Sequence, residues 1–169
     1  LEALLGAIAG WVDRQGDDVR RRLSFVYCGN ERIAVGAALA RARLACEIKV
    51  NGFVPLDELQ ALHRRAFANL YVTSPRTFHH KTIELLAARR PIIAFPADHG
   101  EASEIAIRAG GTFASCTDAA DIARALDDAL AAFARDELPS APAALEELSW
   151  ESQAARLEQV LEEAVRARG

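Results

Sequence analysis

Apolar residues recur along the chain with two alternating periods. Leu4, Leu5, Ile8, Trp11 and Val12 have the spacing of one helix face, so the chain is predicted to begin with an amphipathic helix ending near the segment RQGDD. The segment RLSFVYCGN is then a short apolar run that stops at a glycine. Such a run predicts a strand followed by a loop.

The alternation continues to the end of the chain. Further strands are predicted at CEIKVNGF, NLYVTS, PIIAFP and GTFASC, and further helices at residues 31–44, from Pro55 onward, and at about 80–90, 101–108, 117–135 and 149–168. Strands that alternate with helices of this length pair in parallel through right-handed crossovers. The predicted fold is therefore one α/β domain over residues 1–169. It would have three layers, with a Rossmann-like parallel sheet whose strands are apolar on both faces.

Composition narrows the class of protein. The chain has 169 residues, of which 51% are hydrophobic and 26% charged, as expected of a packed globular domain. A net charge of −4 argues against a nucleic-acid partner, because phosphate backbones are held by an excess of clustered cations. The sequence has no apolar run of about 20 residues and no signal-peptide pattern, so a cytoplasmic location is predicted.

The cysteines and the first residue give two further expectations. Cys28, Cys46 and Cys116 are scattered and lack C-x-x-C spacing, which favours reduced core thiols over disulfides or a zinc site. The chain has no methionine and starts at Leu1, inside an apolar helix pattern. We interpret it as a fragment of a longer protein.

Ligands of open parallel sheets bind outside the carboxyl ends of the strands, where loops lead into helices. Four predicted loops meet this condition, at residues 29–31, 52–56, 74–81 and 96–101. The third loop leads into a helix that carries Lys81 and, one turn later, Glu84.

Lys81 and Glu84 allow two interpretations. A helix N-terminus with an added ammonium group attracts anions, and a nearby carboxylate can accept hydrogen bonds from sugar hydroxyls. A nucleoside diphosphate carries both an anionic diphosphate and sugar hydroxyls. Alternatively, the two residues are an ordinary i,i+3 surface pair worth a few tenths of a kcal/mol.

The segment SPRTFHHKTIELLAARRPIIA resembles the donor-binding segment of GT-B glycosyltransferases, in particular the large retaining group 1, or family 4-like, enzymes. The family's strand ends in Ser and leads through an aromatic loop into K-x-x-E-x-x-A-x-x-x-P; the matching residues are Ser74, Phe78, Lys81, Glu84, Ala87, Pro91, Ile92 and Ile93. FVYCGN, IKVNGFVPLDEL, DHGEASEI and LSWESQAARLEQVL resemble further family elements in the same order. The resemblance covers nearly the whole chain.

The resemblance implies a role for each matching residue. Glu84 would bind the ribose hydroxyls, and Lys81 would stabilise the leaving diphosphate as the catalytic group. The other residues that the resemblance assigns to the donor nucleotide are Gly29, Asn30, Phe53, Val54, Ser74, Phe78, His80 and Thr82. Phe53 and Val54 would border the base, and the glycine loop would lie near the phosphates.

The implied activity is transfer of a hexose-like sugar from a nucleoside diphosphate to a hydroxyl acceptor, with retention, as in polysaccharide biosynthesis. No cofactor or metal is expected. The implied partner is an N-terminal GT-B domain of the same protein, which would carry the acceptor site. Peripheral association with the inner face of the membrane, through that domain, is also compatible with the resemblance. The fragment alone is expected to be inactive.

Two departures from the family keep alternatives open. Arg76 stands where the family often has a second glutamate, and Thr77, Phe78 and His79 replace a common G-F-G. The sugar of the donor is therefore undetermined. There are two alternative interpretations. The chain could be a GT-B domain like that of sugar-nucleotide epimerases, or it could be a noncatalytic α/β binding module.

Overall fold

Helices and strands alternate through the computed structural model, which describes residues 1–73, 81–97, 100–137, 146–147 and 149–167. The strands are β1 (Ser24–Cys28), β2 (Glu47–Asn51), β3 (Asn69–Val72), β4 (Ile92–Phe95) and β5 (Phe113–Ser115). The helices are α1 (Glu2–Asp13), α2 (Asp17–Arg20), α3 (Arg32–Ala42), α4 (Leu56–Arg65), α5 (Lys81–Ala87), α6 (Glu101–Arg108), α7 (Ala119–Ala134) and α8 (Trp150–Arg166). The predicted α/β class is confirmed.

The strands form two small parallel sheets. β1 pairs with β2, with Ser24 opposite Glu47. The second sheet has the order β3-β4-β5, and Asn69 of β3 lies opposite Ile92 of β4. Parallel pairing is as predicted and is compatible with a Rossmann-like fold. A single continuous sheet is not observed among the described strands, because no ladder joins β1 or β2 to the other three.

One apolar cluster spans both sheets. It joins α1, α3 and α7 to side chains of β1, β2, β3, β4 and β5. Its most buried residues include Leu5, Ile93 and Ile122, each with no exposed surface. A second cluster packs α5 and α6 against β3, β4 and β5 through residues such as Leu85 and Ala106. Helices therefore cover the second sheet on both faces.

The first sheet is covered less completely than predicted. Phe25 and Tyr27 of β1 pack toward the first apolar cluster. Their neighbour Val26 points to the other face and is 38% exposed. Ile48 of β2 pairs with Phe25 and so shares its face, and it is also 38% exposed. The expectation of apolar burial on both faces is wrong for these strands, because an apolar side chain is partly exposed on each face of the first sheet.

Local sequence explains the helix ends. The carboxylate of Asp118 accepts hydrogen bonds from the amides of Ala120 and Asp121 and so caps α7. The hydroxyl and amide of Thr117 donate to the Asp121 carboxylate and lower its pKa. α5 ends at Ala87, about three residues before the predicted end, and is followed by Arg89 in a left-handed conformation with φ 55°. The periodicity does not predict α2, because four residues are too few to show it.

All three cysteines are unpaired. Cys116 is buried in the first apolar cluster, and burial raises the pKa of its thiol. Within the described ranges, no helix combines the length and apolarity needed to cross a bilayer.

Candidate functional site

The structure brings together the loops that follow β1 and β2. The amide of Gly29 donates to the carbonyl of Gly52 at 3.1 Å, one step beyond the last ladder pair. The side-chain amide of Asn51 reaches the sulfur of Cys28 at 3.6 Å. Gly29 therefore lies beside Gly52, and the loops after β1 and β2 start side by side, as the strand-end rule predicted for two of the four loops.

Tyr27 shapes the first of these loops. Its hydroxyl accepts a hydrogen bond from the amide of Glu31 at 3.2 Å. A Cβ atom added at Gly29 would lie 2.6 Å from the same hydroxyl, so the phenol packs directly against the glycine. The sequence analysis missed this role, because alternation along a strand shows which face a side chain takes but not whether it bends over a loop.

The side chain of Phe53 is almost fully exposed to solvent. It is 87% exposed, although it is a large aromatic residue. Val54 beside it is half-buried, and Asn30 in the neighbouring loop is exposed. An exposed aromatic ring in the loop after β2 offers a flat apolar surface to a ligand.

Hydrogen bonds also fasten the ends of β3 and β4 to each other. The amide of Thr73 donates to the carbonyl of Phe95 at 3.1 Å, and its hydroxyl donates to the carbonyl of Pro96 at 2.6 Å. Thr73 immediately precedes the predicted donor loop. The sequence analysis did not single it out, and only the strand pairing shows that its hydroxyl reaches the next loop.

Lys81 and Glu84 form an ion pair on the surface of α5. The distance between Nζ of Lys81 and Oε2 of Glu84 is 3.3 Å, and the side chains are 45% and 53% exposed. Both charged groups are thus accessible to a ligand. An ion pair with this exposure contributes about 0.2–1 kcal/mol to stability, so little is lost when a ligand separates the two groups.

Thr82, between the two charged residues, faces inward. It has no exposed surface. Its hydroxyl has no hydrogen-bond partner among the described residues. Its side chain therefore belongs to the interior of the domain, and only its backbone is in position to contact a ligand.

The remaining predicted site residues are outside the described part of the chain. Ser74, Phe78 and His80 fall in the segment 74–80, and Arg76 falls in the same segment. Hydrogen bonds among the described residues link the loops within each sheet, but none links Gly29 or Gly52 to Thr73, Pro96 or α5. The meeting of all four loops at one ligand stays a prediction.

Over the same described ranges, no three His, Cys, Asp or Glu side chains cluster as metal ligands. No protein-family model matches the chain, and no curated protein matches it. The family resemblance therefore rests on the motif residues themselves.

Proposed function

We propose that the chain is the nucleotide-sugar-binding domain of a retaining GT-B glycosyltransferase, corresponding to the C-terminal half of that fold. The observation that carries the proposal is the ion pair of Lys81 and Glu84, which is exposed on the helix that follows β3 and in register with the family's K-x-x-E motif. The parallel α/β fold and the paired loops after β1 and β2 support it.

Each half of the ion pair fits one part of a nucleoside diphosphate. The ammonium group of Lys81 neutralises phosphate oxygens, and the carboxylate of Glu84 accepts hydrogen bonds from the two ribose hydroxyls. Binding replaces a weak pairing with two stronger ones. A hydrogen bond to a charged group is worth about 1.5–3 kcal/mol, against less than about 1 kcal/mol for the exposed ion pair.

Phe53 supplies the third contact of the proposed site. Its ring is exposed, and it follows Gly52, whose carbonyl accepts a hydrogen bond from the amide of Gly29. In the proposed complex the ring lies against the nucleobase. Stacking between a base and an aromatic ring contributes about 1–3 kcal/mol and discriminates weakly among bases. The choice of base then depends on polar groups around the ring.

In the transfer reaction, negative charge develops on the departing diphosphate as the bond to the sugar breaks. Lys81 stabilises that charge, and its effect grows when a second domain closes over the site and excludes water. The acceptor hydroxyl and the groups that contact it belong to that second domain. This chain by itself therefore binds the donor without catalysing transfer.

The proposal is tested by titrating the chain with UDP, GDP and ADP in calorimetry and thermal unfolding. A ligand of the folded state stabilises it by RT ln(1 + [L]/Kd), so at ten times Kd the gain is about 1.4 kcal/mol. We expect one of the three to bind. If none of them alters the unfolding temperature at several millimolar, the proposed function is wrong.

Glu84→Gln tests the ribose contact. We expect the substitution to weaken binding of the preferred nucleotide about tenfold or more, because a charged acceptor is lost. The corresponding 2′-deoxynucleotide should bind the wild-type chain weakly and the variant no worse. Glu151→Gln, in the first turn of α8, removes an exposed glutamate at a similar helix position and should leave binding unchanged. Equal effects of the two substitutions would remove Glu84 from the site.

A further inference from the structure

Arginine side chains gather where the strands of the second sheet begin. The amide of Asn69 donates to the carbonyl of Pro91, and the amide of Ile92 donates to the carbonyl of Thr112, each at 2.8 Å. The segments that precede β3, β4 and β5 are therefore adjacent to one another. Six arginines, which we call the arginine edge, stand at or just after the ends of α4, α5, α6 and α7: Arg64, Arg65, Arg89, Arg90, Arg108 and Arg135.

Direct contacts join these helix ends. Nε of Arg90 donates to the carbonyl of Arg64 at 2.7 Å, which connects the end of α5 to the end of α4. The guanidinium carbon of Arg90 lies 5.1 Å from the centroid of the Phe133 ring in the last turn of α7, within cation–π distance. A Cβ atom added at Gly111, just after α6, would lie 2.5 Å from the side chain of Leu86 in α5. The end of α6 therefore packs against α5.

The arginine edge carries more positive charge than its own carboxylates neutralise. Six arginines and two carboxylates, a net charge of +4 in a chain of net charge −4, occur in segments 63–68, 86–91, 107–112 and 133–137. Glu137 pairs with Arg135. Arg64 donates to the side-chain oxygen of Gln60 and Arg90 to a backbone carbonyl, so neither contact neutralises a charge. Five of the six arginines are exposed, and Arg90 is half-buried.

The helix dipole explains only part of this pattern. A cation near the C-terminus of a helix is favourable, but the effect acts at each helix end separately and requires no second arginine. α4 ends with two arginines, and two more follow α5. Arg89 has φ 55°, a left-handed conformation in which glycine is the least strained residue. An arginine at that position has a conformational cost that the dipole does not account for.

Two exposed apolar side chains lie in the last turns of α6 and α7. Ile107 is 71% exposed and Phe133 is 43% exposed. Arginines beside exposed aromatic and aliphatic side chains suit the interface of a bilayer, where the charges meet headgroups and the apolar groups meet the acyl boundary. The Phe133 ring already carries Arg90 on one face and packs on Phe67 at 65°, with centroids 6.5 Å apart. It is therefore less suited to stacking on a nucleic-acid base.

We propose that the arginine edge is a peripheral binding surface for a membrane that contains anionic phospholipids. The guanidinium groups neutralise headgroup phosphates, and Phe133 and Ile107 insert at the level of the headgroups. Lipids diffuse laterally and so meet charges on four separate helix ends, whereas an acidic polypeptide follows one path. The carboxyl ends of the strands, where the nucleotide site is proposed, are opposite this edge and stay accessible in the bound state.

The test is cosedimentation of the 169-residue chain with vesicles of phosphatidylcholine, with and without about one-third phosphatidylglycerol. We expect binding to the anionic vesicles only. The affinity should fall at least about tenfold when the salt concentration rises from about 0.05 M to about 0.5 M, because salt screens the attraction. Absence of binding to the anionic vesicles, equal binding to both kinds of vesicle, or binding that salt does not weaken would each overturn the proposal.

The double variant Arg65→Gln with Arg108→Gln tests the surface itself. Both side chains are exposed. An arginine near an anionic surface contributes about fivefold to affinity, so the variant should bind the vesicles about 25-fold more weakly. Arg124→Gln with Arg156→Gln is the matched control, because it removes the same charge from exposed positions earlier in α7 and in α8. Equal losses in the two variants would show that only net charge matters, contrary to the proposal.

A competition experiment separates a membrane from other polyanions. A single-stranded oligonucleotide and a polyglutamate peptide are added to the vesicle-bound chain at the same concentration of negative charge as the lipid. We expect neither to displace the chain, because neither accommodates the apolar side chains of Phe133 and Ile107. Displacement by either would identify a general polyanion surface and would contradict a membrane partner. None of these outcomes depends on nucleotide binding.

Discussion

Asn69 shows how a single buried polar residue connects two elements. Its side-chain oxygen lies 2.8 Å from Nδ1 of His63, and its side-chain amide donates to the backbone carbonyl of His63 at 3.3 Å. Asn69 is 5% exposed, so both polar ends are withdrawn from water and both are paired. It therefore joins the last turn of α4 to the first residue of β3.

We expect Asn69→Ala to lower the free energy of unfolding by about 2 kcal/mol, because it leaves two partly buried groups of His63, Nδ1 and the backbone carbonyl, without their hydrogen bonds to Asn69. The measurement is urea denaturation of the folded chain. Gln60→Ala is the matched control: its side-chain oxygen accepts from Arg64 at 3.0 Å on the exposed side of the same helix. That change should stay within about 0.5 kcal/mol. Equal costs would show that the buried pairing contributes nothing.

The candidate site shows what can be predicted for single residues. The spacing of Lys81 and Glu84 predicts that they lie on one helix face, and the 3.3 Å ion pair confirms it. Local geometry alone decides that contact. The contacts of Tyr27 with Glu31 and of Thr73 with Pro96 depend on loop conformation and strand pairing, so no local pattern predicts them.

At the scale of elements, α7 and α8 share an N-cap but differ in burial. Asp118 caps α7 with hydrogen bonds of 2.8 and 2.9 Å, and Ser149 caps α8 with one of 3.1 Å. α7 buries Ile122 and Leu126, whereas no described residue of α8 is buried. A side-chain N-cap is thus present both on α7, which packs in the core, and on α8, which packs little.

We expect Asp118→Ala to lower the free energy of global unfolding by about 1 kcal/mol, because loss of the cap is transmitted through the packed face of α7. Ser149→Ala should reduce helicity, measured by circular dichroism, without moving the midpoint of urea unfolding. A comparable shift of the midpoint in both variants would mean that α8 unfolds together with the core.

Element boundaries were predicted where a cap or a periodic face marks them. The observed ends of α7 and α8 lie within two residues of the predicted ones, and Asp118 and Ser149 stand at the starts as acceptors. The early end of α5 was not predicted, because the left-handed conformation of Arg89 is not a preference of arginine.

At the scale of the molecule, burial is uneven between the two sheets. Ile92, Ile93 and Ala94 of β4 have no exposed surface. β4 has a partner on each side and helices on both faces. Among the described strands, β1 pairs only with β2, and Val26 on one of its faces is 38% exposed. Stability should therefore differ across the domain.

We expect native-state hydrogen exchange to report this difference. The amide of Tyr27 in β1 should exchange with an opening free energy at least about 1 kcal/mol below that of Ile93 in β4, because fewer buried contacts hold the first sheet in place. The experiment compares exchange rates over a series of low urea concentrations. Identical opening energies would show that the two sheets unfold as one cooperative unit.

The sequence by itself determined the order of helices and strands, the α/β class, and the side-by-side placement of Lys81 and Glu84. These features follow from local periodicity and from helix geometry, which act over a few residues. Only the tertiary structure decided that the strands separate into two sheets, that Val26 and Val72 are exposed, and that Tyr27 packs on Gly29. Each of these depends on which distant segments pair and which helix covers them, and strand pairing between residues far apart in the chain leaves no local pattern.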